Sequence, residues 1–357
     1  MTLLDPLIPI DLSAPRARTG SPARAGGLVD GYGRVHRDLR VSLTDRCQLR
    51  CTYCLPEEFQ DWLPGGRLLS GDEIVEVVAV AVDLGIRTVR LTGGEPLLRP
   101  DVVDIVARIA ALTDAPDIAM TTNGLRLAAL AQPLADAGLR RVNVSLDTLE
   151  HETFRLITGR DRLDDVLAGL TAARDAGLDP VKVNTVLLPG VNDHEVPALL
   201  RRALAEGWSL RFIEQMPLGA GRSWTRDSMV TADRILALLR EVADLAPVAV
   251  RGSAPAQEWF VDGGPATVGI VASVTRPFCG DCDRLRLTAD GQVRSCLFAR
   301  TEQDLLPVLR GTEDAAAPRR SRIAEVLTGS VAAKQAGHGV GEAGFEQPAR
   351  PMSAIGG

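Results

Sequence analysis

Residues 88–124 read "TVRLTGGEPLLRPDVVDIVARIAALTDAPDIAMTTNG". A short apolar run over 88–94 opens the stretch and another over 117–124 closes it, with Val, Ile and Ala at helical spacing across 101–112 between them. Strand, helix and strand in that order predict a βαβ unit, which lays its two strands parallel in one sheet. Each run ends in a polar, Gly-bearing turn, TGGEP and TTNG, at the C-terminal rim where parallel α/β folds bind ligands.

The alternation continues in both directions. Strands are predicted over 39–44, 140–147, 181–190 and 209–217, and helices over 70–85 (opened by Ser70), 126–137, 163–176, 194–205 and 231–243. Six such units are too few for an eight-unit barrel and suit an open one. The expected fold is therefore α/β, a partial (β/α)6 TIM-type barrel. After 245 the pattern turns to short extended runs and Gly/Pro turns, a smaller β-rich region that closes the barrel, with one helix over 321–335. Residues 1–35, rich in Pro, Arg, Gly and Ser, read as a flexible N-terminal arm, or else as an Arg-bearing targeting segment. The expected domains are thus 1–35, 36–245 and 246–357.

The chain of 357 residues is 45% hydrophobic and 24% charged, which fits a soluble globular protein. Its net charge of −6 offers no global attraction to nucleic acid or to an anionic membrane. Asp, Glu or Arg interrupts every apolar run, and no basic leader precedes the first one, so a cytoplasmic location without a membrane span is expected.

All six cysteines fall into two triads: Cys47, Cys51 and Cys54 as C-x3-C-x2-C, then Cys279, Cys282 and Cys296 as C-x2-C-x13-C. With no export signal, they argue for metal ligation rather than disulfides. On spacing alone, the first triad suits either a [4Fe–4S] cluster with one open iron or zinc completed by a distant ligand such as His36. The second suits a cluster or zinc completed by His338. Arg284 and Arg286, two apart on a predicted strand, share a face beside the second triad and suit phosphate oxygens; a solvated arginine pair is the plainer use.

"SLTDRCQLRCTYC" resembles the signature of the radical S-adenosylmethionine (SAM) superfamily, in which SAM chelates the open iron. The resemblance narrows to the GTP 3′,8-cyclase family through "RLTGGEPLLR", "TTNG", "VNVSLD", "VKVNTVLLPGVND", "RFIEQMPLG", "FCGDCDRLRLTADGQVRSCL" and the terminal "IGG". It implies two [4Fe–4S] clusters, one on each triad, the second binding the substrate guanine. It implies SAM contacts from Tyr53, Gly93, Gly94, Glu95, Ser145 and Met216, the glycines letting the backbone approach the ligand. It also implies GTP contacts from Arg40, Arg90, Thr121, Lys182, Arg211, Arg284 and Arg286, and a catalytic tail, Gly356 and Gly357.

In such a family a 5′-deoxyadenosyl radical removes the C3′ hydrogen of GTP. The C3′ radical attacks C8, giving (8S)-3′,8-cyclo-7,8-dihydroguanosine 5′-triphosphate, the first step of molybdenum cofactor biosynthesis. A flavodoxin- or ferredoxin-type electron donor, a downstream cyclic pyranopterin monophosphate synthase and a homodimer are further implications. One departure stands out: a lysine often found two positions before Arg90 is Thr88 here, so one phosphate contact is missing or comes from Arg87. Leu55 stands where methionine is common. The alternatives are a radical SAM peptide-modifying enzyme with an auxiliary cluster, or a non-catalytic zinc protein.

Overall fold

The computed structural model describes residues 27–55, 58–218, 224–311 and 317–356; residues 1–26 of the expected arm lie outside this range, as does Gly357. From Leu28 onward the chain belongs to the folded body. Leu28 is buried and its N–H donates to the Leu84 carbonyl, and Asp30 gathers hydrogen bonds from Tyr32, Arg34 and His36.

The expected alternation is present. Strands β1 (Asp38–Ser42), β2 (Thr88–Thr92), β3 (Asp117–Thr122), β4 (Arg141–Ser145), β5 (Val181–Val186) and β6 (Ser209–Ile213) run parallel and adjacent. Between and after them lie helices α1 (Gly71–Asp83), α2 (Val102–Ala110), α3 (Leu127–Asp136), α4 (His151–Thr158), α5 (Leu163–Asp175), α6 (Val196–Glu206) and α7 (Ala232–Arg240). Ser70 starts α1 with a reciprocal cap: its hydroxyl accepts from Glu73 N–H, and the Glu73 carboxylate accepts from Ser70 N–H. Helix α4 was not predicted, because its eight residues are too few to show a helical period between the β4 rim and α5.

The C-terminal region supplies both flanks of the sheet. It contains β7 (Leu245–Pro247), β8 (Gln257–Val261), β9 (Thr267–Val271), β10 (Arg284–Leu287), β11 (Gln292–Arg294), β12 (Gln303–Asp304), then α8 (Leu306–Arg310), α9 (Arg319–Ala332) and α10 (Met352–Ile355). Among the described residues the strands order as β12-β11-β10-β1-β2-β3-β4-β5-β6-β9-β8-β7. Both β9 beside β6 and β10 beside β1 are parallel to their neighbours, so eight contiguous strands run one way. A strand at Arg284 and Arg286 is expected from sequence, but periodicity could not reveal that β9 and β10 extend the parallel set, since neither is followed by a crossover helix.

Side chains directly opposite on neighbouring strands share a face. Val89 and Leu91 of β2, wholly buried, belong to the apolar core with Ile74, Val77 and Val78 of α1. The alternate positions of β1, β2 and β10 carry arginines, and those face the barrel interior.

Candidate functional site

The first cysteine triad lies on the loop leaving β1, and the loop leaving β2 holds it from beneath. Gly94 N–H donates to Thr44 O at 2.7 Å and Glu95 N–H to Arg46 O at 2.8 Å. A Cβ at Gly93 would come within 2.2 Å of Thr44 O, and one at Gly94 within 2.3 Å of Asp45 O. Both glycines are thus required by the cysteine loop itself, a reason additional to the ligand approach expected from sequence. Glu95 is fully buried and turned toward β3: its carboxylate accepts from Leu97 N–H, the Thr122 hydroxyl and Asn123 N–H. Burial nevertheless pushes its pKa up to about 7.

Tyr53 donates to Asp147 Oδ2 at 2.7 Å, and Asp147 Oδ1 accepts from Val186 N–H, so the cysteine loop is tied to the rims of β4 and β5. Burial drives the Cys54 thiol up to about 12, and each neighbouring sulfur adds repulsion to any second thiolate. Three such thiols become thiolates together only with a cation among them. All six cysteines are free of disulfides.

Inside the barrel the polar side chains form rows across the strands. Arg286, Arg40 and Arg90 stand opposite one another on β10, β1 and β2. Thr121, Asn143 and Lys182 form a second row on β3, β4 and β5, and Ser145, Asn184 and Arg211 a third on β4, β5 and β6. The third row ends at Gly269 of β9, where a Cβ would meet the Arg211 side chain at 3.1 Å.

Arg40, Arg90, Thr121, Asn143, Asn184, Arg211, Met216, Arg284 and Arg286 line one cavity that reaches the second cysteine triad. Met216 is part of its apolar wall with Ile213, Val271 and Phe278. Burial and the neighbouring Arg286 and Arg284 hold Arg40 well below its usual pKa, burial beside Arg284 brings Arg286 to about 10, and burial beside Arg211 brings Lys182 to about 8. Among the described residues, buried N–H groups of Arg40, Arg90 and Arg211 have no acceptor, and the side-chain oxygens of Asn143 and Asn184 no donor. Arg211 also has a long contact, 3.4 Å, with Glu258. Like charges packed with spare donors make a site built for a polyanion.

The second triad closes the cavity. Arg284 donates to Cys282 Sγ through Nε at 3.4 Å and Nη2 at 3.3 Å, with its guanidinium 4.5 Å from the Phe278 ring centroid. Arg284 thus reaches the cysteine sulfur as well as the cavity. Burial opposes ionisation of Cys282, but the Arg284 and Lys334 cations prevail and bring its pKa to about 7.

Neither histidine offered for zinc completes a triad. His338 uses both ring nitrogens, one on Ser273 O and one accepting from Val340 N–H. His36 is hydrogen-bonded to Asp30 and neighbours Lys334, on the side of the second triad rather than the first. Among the described residues, neither triad brings all three sulfurs within 4.8 Å of one another. Tetrahedral zinc, with Zn–S of about 2.3 Å, would need them about 3.8 Å apart. Three thiols with no fourth protein ligand among the described residues are a donor set that fits a cubane cluster with one open iron.

The C-terminal tail runs between the two triads. Ser353 N–H lies against the Cys54 sulfur, and three residues later the Gly356 carbonyl accepts from Arg286. Gly356 sits at φ +81°, and a Cβ there would meet Ser42 Oγ at 2.3 Å. Arg87, the offered substitute for the missing lysine, is turned away: it donates to Val82 and Ile86 carbonyls. Asn143, Asn184, Asp147 and Lys334 were missed from sequence. The alternation of Asn143 with Val142 and Val144, and of Asn184 with Val183 and Thr185, was the available signal for the first two.

The comparisons with known proteins fall on this geometry. The radical SAM superfamily model matches residues 41–203, and the Molybdenum Cofactor Synthesis C model matches residues 208–340. The chain is 57% identical over 343 residues to the GTP 3′,8-cyclase of Streptomyces coelicolor, covering 95% of this chain and 99% of that one. It is 52% identical over 363 residues to GTP 3′,8-cyclase 2 of Mycobacterium tuberculosis, covering 98% and 99%. Among solved structures, Streptococcus suis SuiB bound to precursor peptide SuiA superposes with a TM-score of 0.57 at 13% identity, covering 84% of this chain and 67% of that one; the likeness is one of fold. Among the described residues no helix is long and apolar enough to cross a membrane.

Proposed function

This chain belongs to the GTP 3′,8-cyclase family of the radical SAM superfamily, and from that premise we propose how its cavity serves the cyclisation of GTP that opens molybdenum cofactor biosynthesis. Its cofactors include a [4Fe–4S] cluster and SAM, for which Cys47, Cys51 and Cys54 are the ligands in this reading. When bound, that cluster supplies the single electron that splits SAM and so provides the radical that takes the C3′ hydrogen of GTP.

The observation that carries the reading is the set of buried arginine N–H groups that, among the described residues, are left without acceptors around one cavity. Arg40, Arg90 and Arg211, with Lys182 and Thr121, take the triphosphate and ribose. Each charge-assisted contact contributes about 1.5–3 kcal/mol, and a polyanion relieves the mutual repulsion that depresses their pKa values. Cys279, Cys282 and Cys296 hold a second cluster that receives the guanine, and Arg284 and Arg286 face both the sulfurs and the nucleotide. Tyr53, Gly93, Gly94, Ser145 and Met216 form the SAM side, with Glu95 fixing the loop on which the glycines lie. Gly356 and Gly357 are the catalytic tail in this reading, supported at Gly356 by the hydrogen bond its carbonyl accepts from Arg286. Holding the two reactants in fixed orientation on one scaffold makes the hydrogen transfer an effectively intramolecular step. Domain 36–245 carries the SAM side and the cations that take the triphosphate, and domain 246–357 adds the second triad with Arg284 and Arg286. A flavodoxin- or ferredoxin-type donor, a downstream cyclic pyranopterin monophosphate synthase and a homodimer complete the proposal.

The test is anaerobic iron and sulfide content, then incubation with SAM, dithionite and GTP and mass analysis of the products. The expected result is about eight irons per chain, with 5′-deoxyadenosine and the cyclised nucleotide formed only when GTP is present. SAM cleavage indifferent to GTP, with no new nucleotide, would refute the substrate assignment.

A further inference from the structure

Lys334 lies two residues beyond the end of α9 and is 4% exposed. Its Nζ donates to the Arg284 carbonyl at 2.8 Å and to Cys282 Sγ at 3.4 Å. A buried ammonium is costly unless an anion accompanies it. The negative groups that chiefly favour this one are the sulfurs of Cys282 and Cys296, while Arg34 opposes it.

The placement is enforced from the N-terminal side. Arg34 spans three carbonyls, donating to Cys279 O at 2.6 Å, Gln335 O at 2.7 Å and Ala336 O at 3.1 Å, while Asp30 holds the same guanidinium through Nε. One side chain thereby locks the residues following Lys334 to the loop that carries Cys279. At the first triad no cation donates to a sulfur among the described residues: Cys47 Sγ accepts from a neutral amide, Asn123 Nδ2 at 3.7 Å, Arg50 donates instead to the Cys47 carbonyl at 2.8 Å, and the carboxylates of Glu95 and Asp147 lie near the sulfurs.

We propose that Lys334 is a positioning residue for the second triad, its ammonium compensating the charge on the Cys282 sulfur and raising the reduction potential of the cluster bound there. The inference rests on the reading that this triad holds a cluster. Net charge and hydrogen bonds to the sulfurs are established levers on cluster potential, and a cation at a ligating sulfur favours the reduced, more negative state. The same contact directs the Arg284 backbone, so removal of the ammonium alters the field at the nucleotide end of the cavity and not at the SAM end.

The experiment compares the parent with Lys334→Met and Lys334→Arg, each full-length and anaerobically reconstituted. Iron content is followed by redox titration monitored by electron paramagnetic resonance, with Cys279→Ser identifying the second cluster's signal. In Lys334→Met the second potential should move to more negative values with the first unmoved, and Lys334→Arg should stay nearer the parent. Selective loss of the second cluster's iron from the Met variant, with retention in the Arg variant, would equally support the charge role. Full iron with both potentials unmoved in Lys334→Met would overturn it, as would equal iron loss from both variants, which would mark a packing role. A parent chain whose iron is unaffected by Cys279→Ser would instead overturn the second-cluster reading, and this inference with it.

Discussion

Gly94→Ala tests whether the loop after β2 is the mould for the cysteine loop. The new Cβ would stand 2.3 Å from Asp45 O, 2.4 Å from Arg46 O and 2.7 Å from Arg46 C. These are backbone atoms, so no side chain can swing aside, and the loop must retreat by about 1 Å to restore ordinary contact. That movement breaks Gly94 N–H to Thr44 O and Glu95 N–H to Arg46 O. Overpacking of about 1–3 kcal/mol and two hydrogen bonds of about 0.5–1.5 kcal/mol each sum to about 2–6 kcal/mol. For a chain this long that corresponds to a fall in Tm of about 3–8 °C. Cys47 follows Arg46 directly, so the iron of the first triad should be lost selectively. Thermal denaturation and iron analysis of anaerobically prepared protein, with GTP binding by calorimetry, would read these effects. About four irons per chain should remain, SAM cleavage should vanish, and GTP should still bind because its arginines stand on strands. A variant with the parent's Tm and full iron would refute the reasoning.

Replacing Arg40 or Arg90 by Met should weaken GTP binding by about 10–150-fold, from the loss of one charge-assisted contact, with both clusters retained; unchanged affinity would remove that residue from the site. Arg87→Ala should leave GTP affinity as it is, since the side chain serves the carbonyls of Val82 and Ile86; a tenfold loss would restore Arg87 as the stand-in for the missing lysine. Glu95, with a folded pKa of about 7 against an ordinary 4.5, is favoured in its neutral form by burial. Its contribution to stability is full below pH about 4.5 and is lost as pH rises through about 7. Denaturant unfolding across that window should show a slope that Glu95→Gln removes, and an identical slope in the variant would disprove the assignment. Gly356→Ala, forced against Ser42 Oγ at φ +81°, should lower turnover by up to about 100-fold through misplacement of the tail with iron content unchanged. Full turnover would show that the tail is not needed in this place.

How much was legible follows from range. The six barrel units were readable because each couples a local period-2 run to a local helical period, and α1 announced its start through Ser70 and Glu73 three residues apart. The parallel pairing of β9 and β10 escaped because their partners, β6 and β1, lie far away in the chain. The arm's boundary shifted for the same reason: nothing local to Arg34 announces that it clamps carbonyls about 300 residues on.

Both cysteine triads, the Gly–Gly of the second rim and the polar strand ends are properties of the linear sequence; their spacing narrowed the triads to metal ligation, and the motifs around them carried the family resemblance that named the chemistry. Tertiary structure decided who stands beside whom. Register placed Arg286, Arg40 and Arg90 in one row, turned Glu95 inward as a strut and carried Gly356 to Arg286. It also set Lys334 against a sulfur 52 residues earlier. Electrostatic neighbourhood depends on distance through space, and a buried charge is tolerable only where the fold delivers its partner.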